Sequence, residues 1–114
     1  MAPTRVFLYG TLLDAATLAG SSGDATLPAR CVPATLLGWQ RVALQGGRYP
    51  TLRRRRSGSV RGVVVAVSAR ALARLAAYER PAYRLTRVVV QTAKRKTAVH
   101  TWIAAAATRR PWKE

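Results

Sequence analysis

Hydrophobic residues along the chain occur mostly in short runs, and most of these runs predict β-strands. Short runs rich in Val, Leu and aromatic side chains, bounded by Gly, Pro or polar residues, are typical of strands. Pro50 favours a sheet edge for its segment, because proline lacks the N–H that a central strand donates. The predicted strands are residues 4–9, 33–45 with an interruption at Gly38, 49–52, 60–67, 83–92 and 97–104.

Helical signals are fewer and centre on one segment. Ser68 is a good N-cap for residues 69–79, whose composition is strongly helix-forming, and Pro81 ends this helix. Residues 11–19 have room for one or two further helical turns. The order of strands, one main helix and a final hairpin predicts an α+β domain with a small, largely antiparallel sheet or barrel.

The main helix has one face that combines apolar residues with a carboxylate. Its members stand at i, i+3, i+4 and i+7: Leu72, Leu75, Ala76 and Glu79. If the apolar residues pack on the sheet, Glu79 points inward from the last helical turn. Burial and the negative end of the helix dipole would both raise its pKa, which suits a general acid/base near neutral pH. The alternative is a frayed helix end, with Glu79 in solvent or paired with Arg80 or Arg84.

Polar and Gly/Pro-rich stretches separate these elements. They predict a loop at residues 21–28 and turns at residues 46–47, 53–59 and 93–96. We expect a single domain over residues 1–114 and a loose tail at residues 105–114, most of it the polar stretch from Thr108.

Length and composition exclude several classes of protein. A chain of 114 residues that is 49% hydrophobic has enough apolar surface for one core, which excludes wholesale disorder. No apolar run is long enough to span a membrane, and the apolar run at residues 6–9 is too short for a signal peptide. We therefore expect a cytoplasmic protein. With Cys31 and His100 as its only cysteine and histidine, the chain has neither an internal disulfide framework nor a Cys/His zinc cluster.

The formal net charge of +16 is the chain's most unusual property. Such a surface attracts phosphates, acidic small molecules and nucleic acid. The other interpretation is a composition biased towards arginine, which spreads charge over the surface without making a site. The scarcity of acids is more informative, because carboxylate chemistry has only four residues to draw on: Asp14, Asp24, Glu79 and Glu114.

Other reactive or aromatic residues have simpler interpretations. Residues 53–56 are four consecutive arginines, but they have no interleaved aromatics, which favours a solvated turn over a nucleic-acid arm. Cys31 has no histidine near it in sequence to activate a thiol, and His100 falls inside a predicted strand. Packing is the favoured role of the three tryptophans, Trp39, Trp102 and Trp112.

Five segments, in order along the chain, resemble the gamma-glutamylcyclotransferase-like family. The first is VFLYGTL at residues 6–12, a strand that runs into Tyr-Gly-Thr-Leu, and the second is YPTL at residues 49–52. VRGVVVAV at residues 60–67 and LAAYE at residues 75–79 follow. The fifth is the strand with Tyr83, Val88 and Val90. The resemblance covers about residues 4–104.

The resemblance implies a fold and an activity. The fold is a small mixed, mainly antiparallel β-barrel-like sheet with one or two short helices. The implied reaction is intramolecular: the α-amino group of a gamma-glutamyl amine or peptide attacks its own γ-carbonyl and releases 5-oxoproline and a free amine. It uses no metal and no cofactor, and the implied partner is a small-molecule substrate rather than nucleic acid or membrane.

The resemblance also implies which residues form the site. The family's essential glutamate corresponds to Glu79, and its substrate-binding loop corresponds to Tyr9, Gly10, Thr11 and Leu12. One carboxylate of raised pKa can take a proton from the attacking amine and return it to the leaving amine. Glycine lets the backbone approach a ligand closely, and a turn after a strand can present N–H groups to an oxyanion. Tyr83 is expected to bond a substrate oxygen, or else to be a buried core tyrosine.

Three residues depart from the family pattern. Ala76 stands where the family has Asp, Arg80 follows the glutamate where a small residue is usual, and Leu85 stands where the family has Arg. Two alternatives therefore accompany the enzyme: a catalytically inactive binding module of the same fold, and a basic nucleic-acid-binding protein. Neither the amine half of the substrate nor the oligomeric state follows from the sequence.

Overall fold

The computed structural model describes residues 3–44, 50–79, 83–104 and 107–111. The strands are β1 Thr4–Leu8, β2 Val32–Leu44, β3 Pro50–Val67, β4 Tyr83–Gln91, β5 Lys96–Ala104 and β6 Ala107–Pro111. The helices are α1 Ala15–Ser22, α2 Leu27–Arg30 and α3 Ala69–Glu79, and a 3₁₀ turn spans Thr11–Leu13. None of the helices described is long and apolar enough to cross a membrane.

The strands form one mixed sheet in the order β3-β1-β5-β4-β2-β6. Because β2 also pairs with β3, the first five strands of this order close into a small barrel, and β6 extends β2 outside it. The β1–β5 pair is parallel, with Val6 opposite His100, and the other described pairs are antiparallel. The prediction of an α+β fold with a mixed, mainly antiparallel barrel-like sheet is confirmed.

Two apolar clusters hold the fold together. Alternate residues of a strand face opposite sides of the sheet, so β1 contributes to both. The cluster without helical residues lies inside the barrel: Phe7, Tyr9, Ala34, Leu36, Leu52, Val60, Val64, Val88, Val90 and Val99. The other lies between the barrel and the helices: Val6, Leu8, Leu12, Leu18, Leu27, Val65, Val67, Ala71, Leu75 and Trp102.

Helix α3 has the predicted bounds and the predicted cap. The Ser68 hydroxyl accepts a 3.1 Å hydrogen bond from the Ala71 N–H, as an N-cap does. The predicted inward face is wrong in one position, because Ala76 is exposed and the small Ala71 is buried beside Leu75. The helix packs through Ala71 and Leu75, at i and i+4, and Ala76 lies on a different side of the helix.

The loop predicted at residues 21–28 is partly helical. Helix α1 extends to Ser22, and α2 begins at Leu27, which is fully buried. Pro28 is compatible with α2 because it stands in the first turn, where its missing N–H has no intrahelical partner. The composition of this stretch is loop-like, and burial of Leu27 overrides it.

The turn predicted at residues 53–59 is also wrong, because these residues belong to β3. Trp39 pairs with Arg54 and Leu37 pairs with Ser59, so residues 55–58 bulge opposite Gly38, whose φ is +86°. The Arg54 guanidinium lies 5.1 Å from the centre of the Trp39 ring, an arrangement typical of a cation–π contact. The sequence Ser-Gly-Ser is compatible with a bulge as well as with a turn. Pairing with β2, which is distant in sequence, decides in favour of the bulge.

Residues 107–111 are more ordered than their composition predicts. Ala107–Pro111 form β6, in which Ala107 pairs with Leu44 and Pro111 with Val42. The expectation of a loose tail is therefore wrong for these residues. The predicted turn at residues 46–47, Pro81 and the remaining tail lie outside the described residues.

Candidate functional site

The close approach of β1 to its antiparallel neighbour β3 at Gly62 fixes where β1 ends and the candidate site begins. A Cβ atom at Gly62 would collide with the Leu8 carbonyl oxygen and would lie 2.8 Å from two atoms of the Phe7 ring. Only glycine therefore permits this close approach of the two strands. The segment that begins at Tyr9 follows directly from it.

A cavity of about 320 Å³ opens at this point. All six residues predicted for the site line it: Tyr9, Gly10, Thr11, Leu12, Glu79 and Tyr83. They come from the segment after β1, the last turn of α3 and the first residue of β4. The fold therefore brings together residues that are distant in sequence, and Glu79 is the only carboxylate among the described lining residues.

Glu79 has the environment of an acid that exchanges protons near neutral pH. It is the last described residue of α3, and burial raises its pKa from the ordinary 4.5 to about 7. Within the described residues, its carboxylate has no hydrogen bond or ion pair to hold it in the charged form. The alternative pairing with Arg84 is not seen, and Arg80 lies outside the described residues.

The two acidic residues Asp14 and Asp24 have structural roles instead. Asp14 caps α1 by accepting bonds from the Thr17 N–H and hydroxyl at 2.9 and 2.8 Å. Asp24 accepts hydrogen bonds from the Thr26 N–H and hydroxyl, and it also forms an ion pair with Arg30 at 3.1 Å. These hydrogen bonds lower the pKa of both carboxyls, so each is a fixed anion at neutral pH.

The hydroxyl protons of two tyrosines in the cavity are directed at backbone carbonyls. Tyr9 donates to the Trp102 oxygen at 2.6 Å, and its burial raises its pKa above the ordinary value. Tyr83 donates to the Pro50 oxygen at 2.9 Å. A phenol has one proton, so in this geometry Tyr83 offers a ligand an acceptor oxygen rather than the donor we expected from the sequence.

The segment after β1 can present backbone donors to a ligand. The Leu13 N–H bonds the Gly10 oxygen at 3.0 Å, and the Asp14 N–H bonds the Thr11 oxygen at 3.2 Å. The first N–H groups of such a turn have no partner within it. For those of Thr11 and Leu12, no acceptor is found in the described part of the chain, so they are available to a carboxylate or an oxyanion.

Gly10 leaves open space beside Pro50. Its φ is −123°, and a Cβ there would approach no atom closer than Pro50 Cγ, at 3.8 Å. Because Gly10 and Pro50 both line the cavity, the missing side chain leaves space for a ligand.

Four further residues of the cavity, three polar or aromatic ones and a proline, were not predicted from the sequence. The Tyr78 hydroxyl lies 2.7 Å from the Thr11 hydroxyl, and Thr101 donates to the Phe7 oxygen at 2.7 Å. Pro50 and Trp102 complete this set. Tyr78 stands beside Glu79 in the LAAYE segment, which is the one signal that could have found it.

Four other residues considered from the sequence, Cys31, His100, Ala76 and Leu85, do not line the cavity. The Cys31 thiol donates to the Leu27 oxygen at 3.5 Å, and burial raises its pKa, which opposes a thiolate nucleophile. His100 is a half-buried residue of β5. Of the departures from the family pattern, Ala76 and Leu85 are exposed and do not line the cavity.

The basic side chains are spread over many elements. Exposed Arg and Lys residues lie on β1, α2, β3, α3 and β4 and in the turn after β4. No Arg or Lys is among the cavity-lining residues that the structure describes. The charge therefore surrounds the site without forming its wall.

Comparisons with known proteins agree with this picture. Residues 6–113 match the family profile described as gamma-glutamyl cyclotransferase, AIG2-like. One solution structure of an Arabidopsis thaliana protein is 29% identical, with a TM-score of 0.81, over 100% of this chain and 77% of that one. A second from the same plant is 31% identical, with a TM-score of 0.78, over 91% of this chain and 63% of that one.

A structure of a gamma-glutamyl cyclotransferase has the same fold, with a TM-score of 0.70 and 16% identity over 92% of this chain and 68% of its own. No curated protein gives a significant match. The profile covers nearly the whole chain and includes both the segment after β1 and Glu79. This protein belongs to the gamma-glutamyl cyclotransferase, AIG2-like family.

Proposed function

We propose that this protein is a cyclotransferase that cleaves a gamma-glutamyl amine or peptide into 5-oxoproline and a free amine. The family acts on small gamma-glutamyl substrates. The observation that carries the proposal is Glu79, whose carboxyl lines the cavity with a pKa of about 7. A binding module has no need of a desolvated acid in a chain with four acidic residues.

The reaction moves two protons from the attacking nitrogen to the leaving nitrogen, and Glu79 carries them one at a time. Its carboxylate takes a proton from the substrate's α-ammonium group, and the free amine attacks the γ-carbonyl carbon of the same molecule. The protonated Glu79 gives this proton to the leaving nitrogen, then takes the second proton from the attacking nitrogen, which became positive on attack, and passes it to the released amine. The lactam C–N bond forms in the attack and the C–N bond to the amine half breaks when the tetrahedral intermediate collapses, so atoms and charge balance without water. Such proton transfer contributes about 10²- to 10⁴-fold in rate.

The remaining residues of the cavity position the substrate. The N–H groups of Thr11 and Leu12 are suited to the substrate carboxylate or to the oxygen that becomes negative in the intermediate. The oxygen of Tyr83, whose O–H donates to the Pro50 carbonyl oxygen, is suited to accept from the α-ammonium group. Because nucleophile and electrophile belong to one molecule, a folded substrate pose supplies most of the proximity that the reaction requires.

We place this activity in the cytoplasm and on a small molecule rather than on nucleic acid. The dispersed basic side chains supply long-range attraction for the carboxylate of a gamma-glutamyl substrate. The departures at Ala76 and Leu85 leave the proposed chemistry intact, since neither side chain lines the cavity.

A panel of gamma-glutamyl amines and peptides, assayed for 5-oxoproline release, tests the proposal. The wild-type protein should act on at least one member, and Glu79→Gln should lose about 10²- to 10⁴-fold in kcat while keeping its fold. Asp14→Asn and Asp24→Asn are the matched controls, because both carboxylates lie outside the cavity. Near-normal turnover in Glu79→Gln would remove the assigned acid/base. A wild type that acts on no member of the panel would favour the binding module.

A further inference from the structure

The cavity wall carries five hydroxyl groups among its described residues, and most of their protons are already committed. Tyr9, Tyr83 and Thr101 donate to the carbonyl oxygens of Trp102, Pro50 and Phe7. A carbonyl oxygen has no proton to give, so each of these hydroxyls must be the donor. None of the three has a second proton for a substrate.

The other two hydroxyls, those of Thr11 and Tyr78, bond to each other at 2.7 Å across 67 positions of sequence. The pair holds two protons and uses one of them in its mutual bond, whichever group donates. No other hydrogen bond of either hydroxyl is found within the described residues. One proton of the pair therefore remains available.

The pair is also placed where a ligand reaches it. Thr11 and Tyr78 both line the cavity, and Tyr78 is the immediate neighbour of Glu79. The Tyr78 side chain is 37% exposed, so core packing does not account for its position. Its hydroxyl instead joins the last turn of α3 to the 3₁₀ turn.

We propose that the Thr11–Tyr78 pair is the side-chain hydrogen-bond donor for an anionic oxygen of the ligand. This inference rests on the proposed function, in which that oxygen is the substrate carboxylate or the oxygen that becomes negative in the intermediate. Either hydroxyl can deliver the proton, because the partner supplies the acceptor that orients it. The pair acts as one shared donor.

A double-mutant cycle separates a shared donor from a structural clamp. Tyr78→Phe and Thr11→Val each remove one hydroxyl and keep the shape of the side chain. Each single variant leaves the other hydroxyl with its own proton, so kcat/KM should fall by no more than about threefold. The double variant removes both protons and should lose about 10- to 100-fold, the range for one hydrogen bond to a charged group.

A clamp gives the opposite pattern, because either substitution alone already breaks the bond. Single variants as impaired as the double variant would overturn the inference, and so would a double variant with less than about a threefold loss. A loss carried by kcat identifies the oxygen of the intermediate as the acceptor, and a loss carried by KM identifies the substrate carboxylate. Thr86→Val is the control, since Thr86 bonds the Arg84 oxygen away from the cavity and should leave kcat/KM unchanged.

Binding of 5-oxoproline, followed by NMR titration, keeps the inference testable apart from turnover. If the wild type binds it without turning over any gamma-glutamyl compound, the proposed function fails. Weaker binding confined to the double variant would then still support the shared donor, and equal binding by all variants would overturn it. A wild type with neither turnover nor binding overturns both.

Discussion

The Tyr9 hydroxyl donates a 2.6 Å hydrogen bond to the Trp102 carbonyl, 93 positions away in sequence. The two residues connect β1 and β5, whose parallel pairing has a single registered pair, Val6 opposite His100. The Thr101 hydroxyl makes a second such link, to the Phe7 carbonyl at 2.7 Å. Side-chain hydrogen bonds therefore hold this wall of the cavity where the backbone ladder is short.

Burial of Glu79 should make the protein less stable as pH rises from about 4.5 to about 7. Its pKa is 4.5 in the unfolded chain and about 7 in the fold, so across this window the unfolded chain releases the proton first. The resulting loss of folding stability is absent below pH 4.5, is complete above pH 7 and reaches at most about 3 kcal/mol. Urea unfolding of the wild type and of Glu79→Gln from pH 4 to 8 measures this loss of stability. The free energy of unfolding of the variant should rise relative to that of the wild type through this window. A difference that does not change with pH would contradict the burial.

Asp14 provides an opposite control for the same measurement. Hydrogen bonds from Thr17 lower its pKa, so it stabilises the fold above the ordinary aspartate value and ceases to do so as pH falls through the lowered one. Asp14→Ala should therefore lose stability at neutral pH and approach the wild type in acid. The two acids thus give pH dependences of opposite sign.

The pH dependence of turnover should report the same carboxyl. Only the ionised Glu79 can accept the proton of the substrate ammonium, so kcat/KM should fall about tenfold per pH unit below about 7. A second limb at alkaline pH should belong to the substrate's own amino group. Steady-state rates from pH 5 to 9 test this, and an acidic limb centred near 4.5 would show that Glu79 is not desolvated in the free enzyme.

The elements that the sequence predicts correctly are those fixed by local pattern. Alternation and β-branched content mark β4 and β5, and the Ser68 cap marks the start of α3. The failures occur where distant residues decide the structure. Residues 53–59 are drawn into β3 by pairing with β2, and Leu27 is buried against elements that the local sequence does not contain.

Some features of the candidate site could likewise be predicted from the sequence, and others depend on contacts between distant residues. The spacing of Leu75 and Glu79 on one helical face predicted an inward carboxyl, and the resemblance supplied the segment after β1. The partner of each hydroxyl could not be predicted, because Tyr78 finds Thr11 only after the chain has closed across 67 positions. Resemblance locates a site, whereas the direction of each proton follows from the folded geometry.

Two glycines should respond in opposite ways to alanine. A Cβ at Gly62 would strike the Leu8 carbonyl and the Phe7 ring, so Gly62→Ala should destabilise the protein by about 1–3 kcal/mol or more. Gly20 lies inside α1, and a Cβ added there would meet no other atom within 4 Å, so Gly20→Ala should stabilise by about 0.5–1 kcal/mol. Thermal unfolding of both variants checks this. Equal effects would mean that β1 does not approach β3 at Gly62 as closely as the structure shows.

The dispersal of the basic side chains predicts weak, unspecific binding to nucleic acid. Residues 54–56 are exposed arginines of β3 where the strand enters its bulge, and Arg70, Arg74 and Arg87 are exposed arginines elsewhere on the surface. Replacing either trio with serine removes three charges, so both variants should lose similar affinity for a labelled single-stranded oligonucleotide. Binding of every form should weaken steeply between about 50 and 200 mM salt, because it depends on counterion release. Fluorescence anisotropy measures both effects. The contrary result is a loss of affinity in the variant at residues 54–56 alone, with wild-type binding that persists at 200 mM salt. It would show that the bulge is a dedicated nucleic-acid site and that the positive charge is more than a bias of composition.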